Sequence, residues 1–274
     1  MQIDTQPSLV DDARAPVAPF VRLERVDKAF TSKGARLKAV DNVTLDILPG
    51  EFVSIVGPSG CGKSTLMMMV SGLISASAGR IEIRGNDITS PFTDVGIIFQ
   101  RDALLEWRTI LDNVMLQIDV RGLSRRDYEP KARALLKQVG LAGFEDFHPW
   151  ELSGGMRQRV SMCRALVHDP ALLLMDEPFG ALDALTREQM NLDLQHIWLQ
   201  QRKTVLFITH SIWEAIFLAD RVIVMSPRPG RIATEIRIDL PRPRKLAIRE
   251  TAIFGDYTAQ VRQQFQAFGL LVEH

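Results

Sequence analysis

The chain has 274 residues, 46% of them hydrophobic and 24% charged, and its 33 basic and 33 acidic residues cancel to a formal net charge of zero. This is the composition of a globular chain long enough to bury a sizeable core, and the charge balance argues against a polyanion-binding surface and hence against a nucleic-acid partner. No apolar run approaches the ~20 residues of a membrane-spanning helix, and Cys61 and Cys163 fall in unrelated elements that give no disulfide framework.

Residues 1–20 read as a flexible tail. Met1 to Pro19 is polar, contains prolines and has no apolar segment of the secretory kind, so the chain is expected to stay in the cytoplasm. From Val21 the pattern turns to strands: Val21–Val26, Ala39–Ile47 and Phe52–Val56, broken by Lys33-Gly34 and Pro49-Gly50. Next comes Gly57-Pro58-Ser59-Gly60-Cys61-Gly62-Lys63-Ser64-Thr65, which fits G-x-x-x-x-G-K-[ST] between an apolar strand and a helix-like run, Leu66–Leu73. Successive backbone N–H groups in such a loop converge on anionic oxygens, and the helix adds the positive end of its dipole. Lys63 would reach the β- and γ-phosphates, and the Ser64 hydroxyl would ligate Mg²⁺. A ligand-free Gly-rich turn is the alternative, and the flanking strand and helix argue against it. Cys61 sits inside this electropositive loop, either as a reactive thiol or as a small residue that fits.

Arg80–Arg84 reads as a further strand closed by Gly85-Asn86-Asp87, and Val95–Phe99 as a short apolar run ending at Gln100. Helical spacing follows in Thr109–Ile118 and Arg126–Val139, with Gly122 and Gly140 as stops. It returns in Met156–Val167, where Met156, Val160, Cys163 and Val167 share a face. Leu152-Ser153-Gly154-Gly155-Met156-Arg157-Gln158 opens that helix and offers a hydroxyl and free N–H groups, as an ordinary cap or a second anion site. Ala171–Met175 and Val205–Ile208 are continuous apolar runs suited to parallel strands buried on both faces, with the helix-like Ala184–Gln201 between them. Ser211–Ala219 and Val222–Met225 repeat helix then strand. This order gives an α/β sheet with helices on its faces, and the helical segment at about 101–165 reads as an insertion.

The run Leu172–Met175 ends in Asp176-Glu177-Pro178. Side chains at the carboxyl end of a parallel strand reach the crevice where ligands bind. Asp176 would hold Mg²⁺ through a water, and Glu177 would orient or deprotonate an attacking water; a solvated acidic turn is the alternative. Gln100 and His210 end strand runs on the same sheet edge. A Gln there can coordinate Mg²⁺ and hold the water, and a His can bond a γ-phosphate oxygen. The basic runs Arg228–Arg231 and Arg242–Lys245 are interrupted by Pro and read as exposed loops. Near the C-terminus, Tyr257, Val261, Phe265 and Phe268 recur at helical spacing.

In their joint order and spacing, Gly57–Thr65, Gln100, Leu152–Gln158, Asp176-Glu177, Gly180-Ala181-Leu182-Asp183 and His210 resemble the nucleotide-binding subunit of an ABC transporter, over about Val21 to Ile238. The resemblance implies an α/β, phosphate-loop (RecA-like) ABC ATPase core over 21–240, with an inserted α-helical subdomain and an antiparallel β subdomain. The tail 1–20 and a C-terminal helical extension, 241–274, would flank it. ATP and Mg²⁺ would be the cofactors, with Ser64, Gln100 and Asp176 around the metal and Glu177, His210 and Gln100 as the catalytic set. Two copies, expected to be identical, would pack head to tail. Each ATP would lie between the phosphate loop of one copy and the signature residues Ser153, Gly154, Gly155 and Gln158 of the other, with Asp183 at the interface. Phe30 matches the aromatic that stacks on adenine; a core Phe is the alternative.

Two positions depart from the family pattern. Met156 stands where many ABC proteins have Gln, and Glu106 in Leu104-Leu105-Glu106-Trp107 stands where Pro is frequent, in a segment that faces the membrane subunit in the family. The stretches Phe217–Arg221, Ser226–Ile232 and Asp239–Arg244 resemble importers of nitrate, sulfonates, taurine and similar small anionic or polar solutes. That group implies transmembrane permease subunits as partners, an extracytoplasmic solute-binding protein indirectly, and a peripheral place on the cytoplasmic face of the inner membrane. A soluble ABC-type ATPase or an ATP-dependent switch not coupled to transport is the alternative. The first usually carries two cassettes or a long coiled-coil insertion, and the second would lack Glu177 or His210.

Overall fold

The computed structural model describes residues 17–32 and 35–270, so most of the expected tail and the break at Lys33-Gly34 lie outside the described residues. The first half runs β1 (Val21–Ser32), β2 (Ala35–Ile47), β3 (Phe52–Val56), α1 (Lys63–Val70), β4 (Ala78–Ile83), β5 (Asn86–Asp87), β6 (Val95–Ile98), α2 (Ile110–Val120) and α3 (Arg125–Gln138). The second half runs α4 (Gly154–Leu166), β7 (Leu172–Asp176), α5 (Ala184–Gln201), β8 (Thr204–Ile208), α6 (Ile212–Leu218), β9 (Arg221–Met225), β10 (Ile232–Arg237) and α7 (Ala252–Ala267).

The central sheet has the order β10-β9-β3-β8-β7-β6. All its pairings are parallel except β10 on β9. Its inner strands are apolar without interruption because both faces are covered. Phe52, Val205, Phe207, Val222 and Val224 join one core with α4, α5 and α6, while Val53, Ile55, Leu206, Ile208 and Ile223 join another with α1 and the second sheet. That second sheet, β2-β1-β4-β5, is antiparallel throughout. Helices α2 and α3 pack on one another and on α4, forming the helical block expected near 101–165. Asn113, wholly buried on α2, holds the preceding loop through Leu105 N–H and the carbonyls of Leu105, Arg108 and Thr109.

Three features differ from the sequence expectation. First, β1 and β2 form a longer hairpin than Val21–Val26 and Ala39–Ile47. Register shifts after Leu23, Val26 and Lys28, and the left-handed backbone of Arg25 (φ 46°), break the period-2 alternation that marks a strand. Second, β10 carries an edge pattern with only Ile236 buried, too weakly patterned to stand out. Third, the basic run Arg242–Lys245 is not an exposed loop. Arg244 is buried, and its guanidinium donates to Ile216 O, Phe217 O and Ala219 O at 2.7–3.0 Å. Those are terminal carbonyls of α6, which have no partner within the helix. Burial, with Arg242 beside it, pushes the Arg244 group down to about 9, still protonated at neutral pH.

Candidate functional site

Four parallel strands deliver functional residues from their carboxyl ends: β3 leads into the phosphate loop, β6 to Gln100, β7 to Asp176 and Glu177, and β8 to His210. A cleft of about 320 Å³ is lined by Phe30, Ser59, Lys63, Ser64, Gln100, Glu177 and Arg228, and Asp176 and His210 touch its wall through Ser64 and Glu177.

The phosphate loop is shaped by backbone constraint. Gly62 caps α1 with φ 110°, and a Cβ there would lie 2.7 Å from Ala39 O, so only glycine fits. Lys63 is buried, and its ammonium donates to Gly57 O at 2.9 Å and Pro58 O at 3.1 Å. Cys61 is also buried, and desolvation pushes its thiol pKa up. Of the two readings of Cys61, the small residue that fits is the one the structure supports.

The Ser64 hydroxyl donates to Asp176 Oδ1 at 3.0 Å across 112 residues of sequence. Burial pushes the Asp176 carboxyl pKa up and the neighbouring Glu177 adds to this, against the hydrogen bond from Ser64. Hydroxyl, carboxylate and the amide oxygen of Gln100 are all hard oxygen donors, the chemistry suited to Mg²⁺. Glu177 sits just past β7 with a left-handed φ of 45°, its N–H donating to Ile208 O at 2.8 Å. A non-glycine residue held in that region is a mark of imposed geometry. Its Oε2 accepts from Gln100 Nε2 at 3.3 Å and lies 3.1 Å from His210 Nδ1. Glu177 is thus gripped from the ends of two other strands.

Phe30 is 40% exposed with the Lys28 ammonium 5.1 Å from its ring centroid, so it belongs to the cleft wall and not to the core. Arg228, read from sequence only as part of an exposed loop, reaches the phosphate loop. Its Nε and Nη2 donate to Gly60 O at 3.1 and 2.9 Å. Its loop is pinned by Gly230, whose N–H donates to Ala39 O and whose carbonyl accepts from Asp41 N–H, both at 2.9 Å. A Cβ on Gly230 would fall 2.0 Å from Cys61 O. No local pattern announces Arg228; only the pairing of residues 168 apart does.

The start of α4 lies apart from this cleft. Ser153 caps the helix by accepting from Met156 N–H at 3.3 Å, and Ser153 and Gly154 are exposed. Gln158 is 5% exposed, and its amide nitrogen has no hydrogen-bond partner among the described residues, so the fold does not bring it to that open surface. Asp183 is exposed at the start of α5, accepting from Thr186 N–H at 3.0 Å, and the Thr186 hydrogen bonds hold its carboxyl pKa below the usual range.

Residues 40–180 match the family described as ABC transporter. The chain is 50% identical over 224 residues to the taurine import ATP-binding protein TauB of Rhizobium johnstonii, covering 81% of this chain and 84% of that one. It is 40% identical over 251 residues to the aliphatic sulfonates import ATP-binding protein SsuB of Bacillus cereus, covering 92% and 98%. Among solved structures it resembles the dimeric post-hydrolysis state of the ATP-binding cassette MJ0796 bound to ADP and Pi. The TM-score is 0.72 at 32% identity, over 81% of this chain and all of that one. The chain belongs to the ABC transporter family, in the group of ATP-binding subunits that contains TauB and SsuB. Its fold is the α/β ABC ATPase fold, and its activity is ATP hydrolysis.

Proposed function

We propose that this chain powers an importer of a small sulfonate, taurine or a similar anionic or polar solute, by ATP-driven closure of two identical copies beneath a membrane permease. The observation that carries the reading is Glu177, which lines one cleft with the phosphate loop, Ser64 and Gln100 and is held by Gln100 and His210, while Ser64 is bonded to the adjoining Asp176. The names of the relatives supply the solute class.

In this reading Gly57–Thr65 cradle the phosphates, and Phe30 stacks on the adenine. Lys63 exchanges its two carbonyl partners for the β- and γ-phosphate oxygens. Ser64, Asp176 and Gln100 would hold Mg²⁺, which would supply charge neutralisation to the phosphates. Glu177 orients the attacking water and accepts its proton, while His210 bonds the γ-phosphate. Rate enhancement then comes mostly from positioning and charge stabilisation. Ser153, Gly154 and Gly155 reach the ATP of the second copy, and Asp183 lies where the copies meet.

Among the described residues no helix is long and apolar enough to cross a membrane. In this reading passage of the solute falls to a separate permease. A groove of about 750 Å³ between the central sheet and α2, lined by Phe92, Phe99, Ala103 and Val120, offers a docking place. The 75% exposed Trp107 follows in the same segment, beside Glu106. This assembly puts the chain peripherally on the inner face of the membrane, with a solute-binding protein on the other side. Isolation from membranes in mild detergent tests the reading: a stoichiometric multi-span permease is expected, and only soluble or ribosomal partners would overturn transport while leaving ATP hydrolysis standing.

A further inference from the structure

Two residues outside the cleft are tied to both of the turns that carry its chemistry. Arg187, on the first turn of α5, gathers the carbonyls of the turn between Glu177 and Asp183. Its Nε donates to Phe179 O at 3.2 Å, and its Nη2 to Gly180 O at 3.4 Å and Leu182 O at 2.8 Å. Its own N–H donates to Asp183 O at 2.9 Å. The guanidinium fork thus fixes the path of the turn from inside.

Glu214, on α6, is 3% exposed, and its Oε1 lies 3.8 Å from Arg187 Nε. Its Oε2 accepts from the Thr209 hydroxyl at 2.5 Å. Thr209 is 1% exposed, immediately precedes His210, and accepts from Ser211 N–H at 3.0 Å. The two ends of this chain of contacts also meet directly. A Cβ on Gly180 would lie 3.6 Å from His210 Cε1, so the His210 ring rests against the turn that Arg187 holds. A carboxylate buried to this degree is costly unless paired and hydrogen-bonded. Burial pushes the Glu214 pKa up, opposed by the Thr209 hydrogen bond and by Arg187.

We propose that Arg187, Glu214 and Thr209 form a positioning bridge that sets the turn carrying Asp183 and the backbone carrying His210 to one another. The bridge touches no reacting atom. It makes the placement of His210 against Glu177 depend on the conformation of the 179–183 turn, and it would pass a displacement of that turn to the catalytic pair. It rests on the proposed roles of Glu177 and His210 and deepens them by naming what holds the two turns in register. The separation of the Glu177 and His210 atoms at 3.1 Å leaves little tolerance, since a misplacement of about 1 Å can cost on the order of a hundredfold in rate.

The test is ATPase kinetics on the full chain with Arg187→Lys, Glu214→Gln, Thr209→Val and Thr209→Ser, alongside the wild type and Glu177→Gln. The bridge predicts that Arg187→Lys and Glu214→Gln lower kcat about ten- to hundredfold with KM for ATP unchanged. The double variant should be no worse than the worse single one, because both break the same link. Thr209→Val should fall with them, and Thr209→Ser, which keeps the hydroxyl, should recover. Additive losses, a rise in KM matching the fall in kcat, or kcat restored by assaying below the melting temperature would each reduce the three residues to general packing and overturn the bridge. Glu177→Gln hydrolysing as fast as the wild type would instead overturn the role of Glu177, and the bridge with it.

Discussion

The phosphate loop and the start of α4 are both helix N-termini rich in glycine, and they end up in opposite situations. The first is enclosed by its own chain. Lys63 is 5% exposed with two carbonyl partners, Ser64 is bonded to Asp176, and Arg228 braces Gly60 from a distant loop. The second is open. Ser153 and Gly154 face solvent, and the Ser153 side chain accepts the cap from Met156 N–H. One chain therefore encloses one glycine-rich helix end and leaves the other exposed. Under the proposed function a second copy of the chain would resolve the asymmetry.

That comparison can be broken at either end. The largest effect is expected at Glu177. Glu177→Gln should cut the hydrolysis rate about 10²- to 10⁴-fold while leaving ATP binding intact, giving a stable ATP-dependent dimer visible by light scattering. Normal turnover would mean that another group handles the water. Lys63→Ala should weaken nucleotide binding about ten- to a hundredfold by equilibrium titration, the loss expected for a hydrogen bond to a charged group; full affinity would dismantle the enclosed cradle. Ser153→Ala removes a cap and a donor. It should leave nucleotide binding to the single chain unchanged but weaken the dimer formed in the Glu177→Gln background by up to about tenfold. Weakened binding to the monomer would mean that the two helix ends are not separate. The smallest effect is expected from Arg228→Gln, which keeps one donor for Gly60 O. KM for ATP should rise by about threefold to tenfold with kcat unchanged; an unaltered KM would leave Arg228 as a surface residue that happens to touch the loop.

What could be read from the sequence follows from how local each contact is. The phosphate loop was legible because its cradling groups are consecutive residues on one backbone, and the β7 acids because an uninterrupted apolar run ends at them. The parallel strands stood out since burial on both faces leaves no polar interruption. The β1–β2 hairpin was cut short because bulges erase alternation, and β10 went unseen because an edge strand buries little. Arg228, Arg187 and Glu214 carried no sequence cue. Each is an ordinary charged residue whose partner is fixed only by tertiary contact. Gln158 illustrates the converse: its place in a recognisable motif suggested the surface, while the 3.6-residue period of α4 turned it inward.

The buried Arg244 has a practical reach beyond its hydrogen bonds. Although it lies past the last strand, it closes the end of the helix whose other end follows His210. The chain beyond Leu240 is therefore not spare material on which a fusion tag or an extra domain can be grafted freely. A splice at Leu240 would uncap α6 and loosen the backbone that carries His210 from behind. A splice after Gly269, past the final turn of α7, would leave that closure untouched.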